Sequence, residues 1–355
     1  MVEKTVVTVT AIRPDFIRMS EVIRCLDNEK SLKHVLVHTG QHYDELLSGI
    51  FFKDLEIRKP DYNLLAGAEN RRHYQQQAYL SSRIIELFEK ENIDPDIVLF
   101  LGDSNSVLAS VPIKKEGYKI GHIEAGMRSY DDRMLEEINR KVCDHVSDIL
   151  FVYHENYKQK AMREGISKDK IHVVGNTIVE PLRRYADLLY TGSNEHILLD
   201  IHRPENFQHE ARLSYILECA NRYADHFELP VKMLSFKRTE SAIEKYNLDI
   251  GEIEMIPLMG YKEFLKFQQD SHFIISDSGT AQEEPSLLGI PVLVPREFTE
   301  RPESVKNNCS FMLDLNKENH HDSIHWLNSH DKCNTEWLGA GTTSANIIQI
   351  LKDIL

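Results

Sequence analysis

Three acidic side chains occupy positions from which a carboxylate could move a proton. Asp103 follows the apolar run Ile97–Leu101, and Glu124 stands between a second apolar run and the small pair Ala125-Gly126. Glu136 lies near the start of a stretch with helical periodicity. A carboxylate at the end of a buried strand is partly removed from water, which suits it to act as an acid, a base or a metal ligand. Each also has a structural alternative: an Asx turn or helix cap for Asp103, a structural strand-end carboxylate for Glu124, and a solvated helix face for Glu136.

A second group of residues has side chains of the types that bind anions. In the stretch Ser276–Glu303 an apolar strand ends in Ser-Asp-Ser-Gly, so Ser278 and Gly279 are expected to open a helix with free backbone N–H groups. His202 and Arg203 combine a side chain that titrates near neutral pH with a guanidinium that fits a phosphate. Because the chain has 17 histidines, His202 taken alone could equally be a surface residue.

The charge of the chain favours a small anionic ligand over nucleic acid. The 355 residues carry a net charge of −14, and no block of lysines or arginines is present in the sequence. Nucleic-acid binding needs a concentrated basic surface, so we expect no such partner. Single arginines inside short motifs can still bind one phosphorylated molecule locally. These arginines are Arg13, Arg18, Arg128, Arg140, Arg203 and Arg301.

Several other classes of protein lack their sequence signals here. No grouping of His, Cys, Asp or Glu has the spacing of a zinc site, and the P-loop, the GxSxG elbow and the glycine-rich dinucleotide fingerprint are missing. The five cysteines are scattered, which indicates reduced thiols. The N-terminus has no signal-peptide core, and no apolar run approaches the length of a membrane span. The sequence therefore predicts a cytoplasmic protein with no metal site and no membrane contact.

The elements that would position these residues alternate between short β-branched runs and longer helical patterns. This alternation, with near-continuous apolar strands, predicts parallel sheets covered on both faces. The predicted strands are 5–10, 34–38, 97–101, 119–123, 149–152, 171–174, 196–201, 231–235, 254–256, 273–276 and 292–294, and the clearest predicted helices are 15–26, 74–91 and 134–145. The helix predicted at residues 134–145 is expected to carry an apolar stripe that includes Leu135 and Ile138. Glu136 and Arg140 are expected to share a face beside this stripe.

The number of strands predicts two doubly wound, Rossmann-like α/β domains. We place them at residues 1–177 and 178–342, with the C-terminal helix 343–355 packing back on the first domain. Nearly every motif with reactive side chains follows the carboxyl end of a predicted strand, where open α/β sheets bind their ligands. Two such sheets facing each other would form a cleft between the domains.

The order of the motifs resembles that of one enzyme family. From Arg13 to Glu303 the chain reads RPDFIR, HTGQHY, GDSNSVLA, GHIEAGMRS, LEEINR, GNT, HRPEN, SDSGTAQEE, LGIPVLV and TERPE. This series resembles the non-hydrolysing UDP-N-acetylglucosamine 2-epimerase family and covers most of the chain. The resemblance implies a glycosyltransferase-B-like architecture in which the second domain holds most of the UDP. It also implies a homodimer that needs no metal or cofactor and supplies nucleotide sugars for surface polysaccharide.

The chemistry that the resemblance implies is inversion of a UDP-N-acetylhexosamine at C2. UDP leaves by anti-elimination across C1–C2 to give a 2-acetamidoglycal, and it adds back as C2 is protonated on the opposite face. By resemblance Asp103, Glu124 and Glu136 form the acid and base set, with the individual steps unassigned, and Arg140 orients Glu136. Repulsion among clustered carboxylates would raise the pKa of one of them and leave it a proton to donate.

The other matched positions bind the substrate in this resemblance. His202, Arg13 and Arg18 would stabilise the departing UDP together with Ser278, and Glu284 would contact the ribose hydroxyls. Arg301 would close on the ligand from the cleft. The remaining expected substrate contacts are Gln41, Arg128, Arg140, Arg203 and Gly279.

Some positions depart from the family pattern. Ala11 and Ile12 stand where the family has Gly-Thr, and Arg18 stands where it has Lys. The residues after His42 differ from those of enzymes that a second UDP-N-acetylglucosamine activates, so we expect no allosteric site. The runs 37–44, 51–55 and 58–62 look closer to the branch that acts on UDP-linked 6-deoxy-L-N-acetylhexosamines, in which Ile12 would lie near the C6 methyl group.

Three other functions stay open at the level of the sequence. A hydrolysing relative would release free N-acetylmannosamine and UDP. A sugar-nucleotide-binding protein would bind the substrate without turnover, and the altered Ala11-Ile12 turn is the support for this alternative. A glycosyltransferase of the same fold would need an acceptor, and the three carboxylates argue against it.

Overall fold

Two parallel β-sheets organise the chain in the computed structural model. The structure describes residues 3–40, 52–67, 72–190, 192–315 and 319–355, apart from the side chains of Arg13 and His73. The chain divides into unit 1, Met1–Arg183 with Leu338–Leu355, and unit 2, Arg184–Trp337. This division falls a few residues after the predicted boundary at residue 177.

The sheet of unit 1 is built from apolar, β-branched segments. Its strands are β1 (Lys4–Thr10), β2 (Leu32–His38), β3 (Tyr62–Asn63), β4 (Ile97–Leu101), β5 (Ile120–Ile123), β6 (Ile149–Val152) and β7 (Ile171–Val173). Among the described residues these seven strands pair in parallel in the order β3-β2-β1-β4-β5-β6-β7. Every residue of β4 and β5 is buried, as expected for strands that are covered on both faces.

The sheet of unit 2 repeats this arrangement. Its strands are β8 (His196–Asp200), β9 (Val231–Leu234), β10 (Glu254–Ile256), β11 (Ser271–Ser276), β12 (Val292–Val294) and β13 (Ser310–Met312). They also pair in parallel, in the order β10-β9-β8-β11-β12-β13 within the described range of the unit. In each unit the chain enters the sheet at an inner strand, β1 or β8, and later strands are added on both sides of it. This order confirms the predicted doubly wound α/β fold.

Helices connect the strands and cover the sheets. They are α1 (Arg13–Asn28), α2 (His73–Lys90), α3 (Ser110–Lys115), α4 (Leu135–Val146), α5 (Glu155–Arg163), α6 (Val179–Arg184), α7 (Pro204–Phe207), α8 (Glu210–Phe227), α9 (Lys237–Tyr246), α10 (Tyr261–Gln269), α11 (Glu284–Leu287), α12 (Pro302–Lys306), α13 (His320–Ser329) and α14 (Thr343–Ile354). Short 3-10 turns lie at Asn105–Ala109, Lys168–Lys170, Ala186–Leu188, Thr280–Gln282 and Glu336–Leu338. In the described helices none combines the length and the apolar character that a membrane span requires.

The predicted strands match the observed ones, and two observed strands were not predicted. The two are β3 and β13, which lie at the outer edge of each sheet. β3 has only two residues, Tyr62 and Asn63, and β13 begins with Ser310. An edge strand buries less of its surface, so its sequence lacks the continuous apolar run that identifies the inner strands.

The C-terminal helix α14 is bound to unit 1 by polar contacts at its start. The backbone N–H of Ser344 donates to Glu180, at 3.1 Å, and the hydroxyl of Thr343 donates to the carbonyl of Asn176, at 3.3 Å. Near the other end, Lys352 pairs with Glu29 of α1 at 2.9 Å. These contacts account for the return of the chain to unit 1 after Trp337.

The turn that follows β5 requires a glycine. Gly126 has φ +76°, a conformation that strains any residue with a Cβ, and an added Cβ would lie 2.6 Å from the carbonyl oxygen of Tyr157. The turn is therefore pressed against the start of α5 and held in one conformation.

We expect Gly126→Ala to lower the stability of unit 1 more than Gly165→Ala does. Both glycines have positive φ, but the space around a Cβ at Gly165 is open, so only the backbone strain of about 1–3 kcal/mol applies there. The overlap with Tyr157 adds a further cost at Gly126. Differential scanning calorimetry should give the lower transition temperature for Gly126→Ala, and equal temperatures for the two variants would contradict this interpretation.

Candidate active site

Three neighbouring strands of unit 1 are each followed by an acidic residue within the next few positions. β1, β4 and β5 lie side by side, and their carboxyl ends lead into Asp15, Asp103 and Glu124. Because parallel strands share one edge at their carboxyl ends, this order brings the three carboxylates to the same edge of the sheet. An added Cβ on Gly102 would lie 3.9 Å from Oε1 of Glu124, which shows how closely the β4 and β5 turns approach.

Glu124 is held in a strained position beside an arginine. Its φ is +69°, which is unfavourable for a residue with a side chain and costs on the order of 1–3 kcal/mol. Oε2 of Glu124 pairs with Nη1 of Arg18 at 2.8 Å, and both side chains are almost completely buried. The predicted site residues Glu124 and Arg18 therefore form one buried ion pair.

Asp103 is fixed through both its side chain and its backbone. Its carboxylate forms an ion pair with Nη2 of Arg140, and its carbonyl accepts a hydrogen bond from Nδ2 of Asn139 at 2.8 Å. About a fifth of the Asp103 side chain is exposed, so a ligand can still reach the carboxylate. Asn139 and Arg140 both lie on α4, so this helix positions the end of β4.

The contacts of Arg140 include two acidic residues that were not predicted as its partners. Arg140 pairs with Asp103 and with Oε2 of Glu137, at 3.2 Å, and its role in orienting Glu136 stays a prediction. Glu137 is completely buried and accepts hydrogen bonds from the backbone N–H groups of Ser129, at 3.0 Å, and Tyr130, at 3.2 Å. Glu136, which precedes Glu137 on α4, is partly exposed and remains accessible to a ligand.

The predicted apolar stripe on α4 is wrong at its N-terminal end. Leu135 is 59% exposed and Ile138 is 52% exposed, whereas Glu137, Arg140 and Asp144 are buried. The helix turns a charged face towards the strand ends because those side chains find partners there.

Asp15 is a member of the cluster that the sequence reasoning missed. Its Oδ2 accepts hydrogen bonds from the backbone N–H groups of Ala11, at 2.8 Å, and Ile12, at 3.1 Å, so it also holds the turn after β1. Burial raises the pKa of Asp15 to about 7, with Asp103 and Glu124 adding to the effect and the two amide hydrogen bonds opposing it. The repulsion expected among clustered carboxylates therefore acts on Asp15. Its position in the first turn of α1, close after the end of β1, was the available sequence signal.

Arg128 lies in a buried ionic network and not among the exposed groups of the cluster. Its guanidinium pairs with Asp144 at 2.7 Å and with Glu164 at 2.6 Å, and the side chain is completely buried. Asp144 also pairs with Nδ1 of His122 at 2.6 Å. We therefore interpret Arg128 as structural, in place of the predicted substrate contact.

In unit 2 a buried aspartate holds the loop that carries His202. Asp277 accepts hydrogen bonds from the backbone N–H of His202, at 3.1 Å, from that of Arg203, at 3.0 Å, and from the amide of Asn206, at 3.0 Å. Nδ1 of His202 bonds to Asp200 at 2.9 Å. The loop after β8 and the loop after β11 are thus joined through the carboxylate of Asp277.

His202 carries a positive charge over a wider pH range than a free histidine. Burial lowers the pKa of His202, but the carboxylates of Asp200 and Asp277 outweigh that effect and raise it to about 8. About a third of the side chain remains exposed, and its ring packs against Phe236 with centroids 5.0 Å apart. A cationic, partly exposed imidazole is suited to bind a phosphate.

The predicted helix N-terminus at Ser278 and Gly279 is not formed as expected. A 3-10 turn, Thr280–Gln282, follows Gly279, and α11 has only four residues, so no long helix directs its dipole here. The backbone N–H of Ser278 donates to the hydroxyl of Ser276 at 3.0 Å.

Gly279 is required by the side chains packed against it. A Cβ at this position would overlap Nη1 of Arg301 and lie 2.7 Å from Oε1 of Glu300. Arg301 is buried and pairs with Glu300 and, through Nε, with Glu283 at 3.0 Å. Its guanidinium is therefore fixed beside Gly279.

Glu284 is buried and oriented by two donors. Its carboxylate accepts hydrogen bonds from the hydroxyl of Tyr261, at 2.9 Å, and from Nε2 of Gln268, at 2.6 Å. Each carboxylate oxygen can accept more than one hydrogen bond, so these two donors do not exhaust the accepting capacity of the Glu284 carboxylate. The predicted site residue Arg203 is only slightly exposed. Nη1 of Arg203 lies 3.7 Å from Oε1 of Glu205.

Two predicted substrate contacts cannot be placed. The side chain of Arg13 and the whole of Gln41 lie outside the described residues. Among the residues that the structure does describe, no group of three or more His, Cys, Asp or Glu side chains could hold a metal ion.

The fold and the motif series together define a family. A sequence model of the UDP-N-acetylglucosamine 2-epimerase family matches residues 24–352. The chain therefore belongs to the UDP-N-acetylglucosamine 2-epimerase family, which confirms the resemblance at the level of the family, while the non-hydrolysing subtype stays a prediction. The solved structures of this family that match the chain confirm the glycosyltransferase-B-like fold class.

Individual relatives match over nearly the whole chain. The UDP-N-acetylglucosamine 2-epimerase of Methanococcus maripaludis is 36% identical over 361 residues, covering 96% of each chain. The UDP-2,3-diacetamido-2,3-dideoxy-D-glucuronate 2-epimerase of Pseudomonas aeruginosa is 34% identical over 316 residues, covering 87% of this chain and 88% of its own. The crystal structure of the Methanocaldococcus jannaschii UDP-GlcNAc 2-epimerase in complex with UDP-GlcNAc and UDP has a TM-score of 0.89 and 31% identity, covering 98% of this chain and 99% of its own.

We predict that the pKa of His202 is about 8 and that Asp200→Asn lowers it. Because this pKa exceeds the usual value of about 6.5, protonation of His202 stabilises the fold fully below about pH 6.5, and this contribution is lost as the pH rises through 8. The imidazole C–H resonance, followed by NMR between pH 5 and 10, measures the midpoint. Glu210→Gln, on the exposed start of α8, is the control. An unchanged midpoint in Asp200→Asn would contradict the assigned cause.

Proposed function

We propose that the chain inverts the configuration at C2 of a UDP-N-acetylhexosamine by anti-elimination of UDP and re-addition to a 2-acetamidoglycal. The observation that carries the proposal is the carboxylate cluster at the ends of β1, β4 and β5. Within it, Asp103 and Glu124 each pair with an arginine, while Asp15 has its pKa raised to about 7. Removing a weakly acidic proton on one face and returning one on the other needs such a set of fixed carboxyl groups.

The residues of unit 2 would stabilise the UDP that leaves. The negative charge that develops on the diphosphate as the C1–O bond breaks is met by His202, whose pKa of about 8 keeps it largely protonated at neutral pH. Arg203 follows in the same loop, which Asp277 holds in place. Glu284, already oriented by Tyr261 and Gln268, would accept hydrogen bonds from the ribose hydroxyls.

UDP-N-acetylglucosamine is the substrate we propose first. The relatives in Methanococcus maripaludis and Methanocaldococcus jannaschii are named UDP-N-acetylglucosamine 2-epimerases. The Pseudomonas aeruginosa relative is named for epimerisation of a UDP-linked diacetamido-glucuronate. The lean towards a 6-deoxy-L sugar rests on the sequence of residues 37–44, 51–55 and 58–62 and on Ile12. This alternative, a homodimeric state and a cytoplasmic location stay predictions.

Product analysis separates the alternatives. With UDP-N-acetylglucosamine, phosphorus and proton NMR should show formation of UDP-N-acetylmannosamine with the sugar still bound to the diphosphate. Free N-acetylmannosamine together with UDP would instead show a hydrolysing enzyme. Binding of the substrate without any change, for a panel that includes the 6-deoxy-L sugars, would show a protein without turnover.

We expect Asp103→Asn and Glu124→Gln each to lower kcat by about 10²–10⁴-fold, as removal of a general acid or base does. Asp96→Asn is the matched control, because Asp96 precedes the same strand β4 at its opposite end and binds Lys4 and the backbone of Thr5. Steady-state assays should show its kcat within a few-fold of the wild-type value. Full activity of both site variants would contradict the assigned roles.

A further inference from the structure

A completely buried histidine, His122, lies directly behind the carboxylate cluster. It is on β5, and both nitrogens of its ring face hydrogen-bond acceptors. Nδ1 is 2.6 Å from Oδ1 of Asp144, and Nε2 is 2.8 Å from the carbonyl oxygen of Gly102. A neutral imidazole has one N–H and could satisfy only one of these acceptors, whereas the imidazolium ion donates to both.

The surroundings of His122 favour this charged form. Burial lowers the pKa of His122, but Cys143 and Asp144 raise it well above the ordinary value. Burial has the opposite effect on Asp144 and raises its pKa, but His122 and Arg128 outweigh that effect and hold the pKa of Asp144 below its usual range. The charges of His122 and Arg128 are balanced by those of Asp144 and Glu164, so the network can remain ionised inside the protein.

This network binds the backbone of both turns that carry the candidate catalytic carboxylates. The carbonyl that His122 holds belongs to Gly102, the residue immediately before Asp103. The other oxygen of Asp144 accepts a hydrogen bond from the backbone N–H of Gly126, at 3.0 Å, two residues after Glu124. His122 and Asp144 therefore join the end of β4 to the end of β5.

We propose that His122 is a positioning residue for the reaction: its imidazole, held by Asp144, fixes the carbonyl of Gly102 and thereby places the carboxylate of Asp103 relative to Glu124. The inference rests on the proposed function, because Asp103 and Glu124 are the groups that would act at C2. His122 itself does not contact the substrate, because its side chain is completely buried. An error of about 1 Å in the position of a reacting group can cost on the order of 10² in rate.

Two substitutions at this position separate the two hydrogen bonds. The amide nitrogen of glutamine can occupy the position of Nε2, so His122→Gln can keep the bond to Gly102 and lose the one to Asp144. The amide of asparagine lies near the position of Nδ1, so His122→Asn can keep the bond to Asp144 and lose the one to Gly102. Both variants remove the charge, so they form a matched pair.

The test compares kcat and KM of the two variants with those of the wild type. We expect kcat of His122→Asn to fall on the order of 10²-fold with KM within a few-fold, and kcat of His122→Gln to stay within about tenfold of wild type. The affinity of both variants for UDP, measured by calorimetry, should be unchanged, because His202, Arg203 and Glu284, the residues of the proposed function that bind UDP, lie in unit 2. Equal losses in the two variants, a loss confined to KM, or wild-type activity of His122→Asn would overturn the proposal.

A measurement on the wild-type protein keeps the inference testable if either variant does not fold. Nitrogen-15 NMR of the histidine side chains, with His122 assigned through its own backbone, should show both ring nitrogens protonated at pH 8. A neutral His122 at this pH would overturn the proposal. If the wild type shows no epimerisation of any UDP-N-acetylhexosamine, the proposed function fails, and the NMR result still reports separately on the imidazolium and its two hydrogen bonds.

Discussion

The arrangement of the candidate site in unit 1 depends on the contacts that the carboxylate of Asp144 makes. It is completely buried and binds His122, the guanidinium of Arg128 and the backbone N–H of Gly126 at once. Removing one partner from a buried ion pair leaves an uncompensated charge and costs about 3–5 kcal/mol. Loss of Asp144 would leave two cations without their shared partner and would release the turn after β5, so we regard it as the central constraint on the candidate site.

A buried aspartate has the same structural role in unit 2. Asp277 accepts backbone N–H groups from the His202 loop, as Asp144 does from the Gly126 turn, and in each case the carboxylate fixes a loop at the end of a strand. The candidate carboxylates and His202 are therefore supported by rigid elements and by a second layer of hydrogen bonds, as pre-organised sites require. Asp15 differs from its neighbours because burial raises its pKa to about 7, which suits it to hold a proton at neutral pH.

The sequence predicted the parallel sheets and the strand-end positions of Asp103 and Glu124, because continuous apolar runs identify inner strands and the motifs follow them directly. It did not predict the partners of the charged side chains. Helical spacing placed Arg140 beside Glu136 but did not predict its ion pair with Asp103, because contacts between separate elements cannot be read from spacing on one helix. Periodicity also failed on α4, where the buried face is polar because ionic partners compensate its desolvation.

The most direct test of the account is solvent exchange at C2 of the substrate. In deuterated water, UDP-N-acetylglucosamine incubated with the wild-type protein should give UDP-N-acetylmannosamine that carries deuterium at C2, and Glu124→Gln should slow this incorporation strongly. NMR and mass spectrometry would measure the position and the amount of the label. Epimerisation without deuterium at C2, or full incorporation by the Glu124→Gln variant, would contradict proton transfer by this carboxylate cluster.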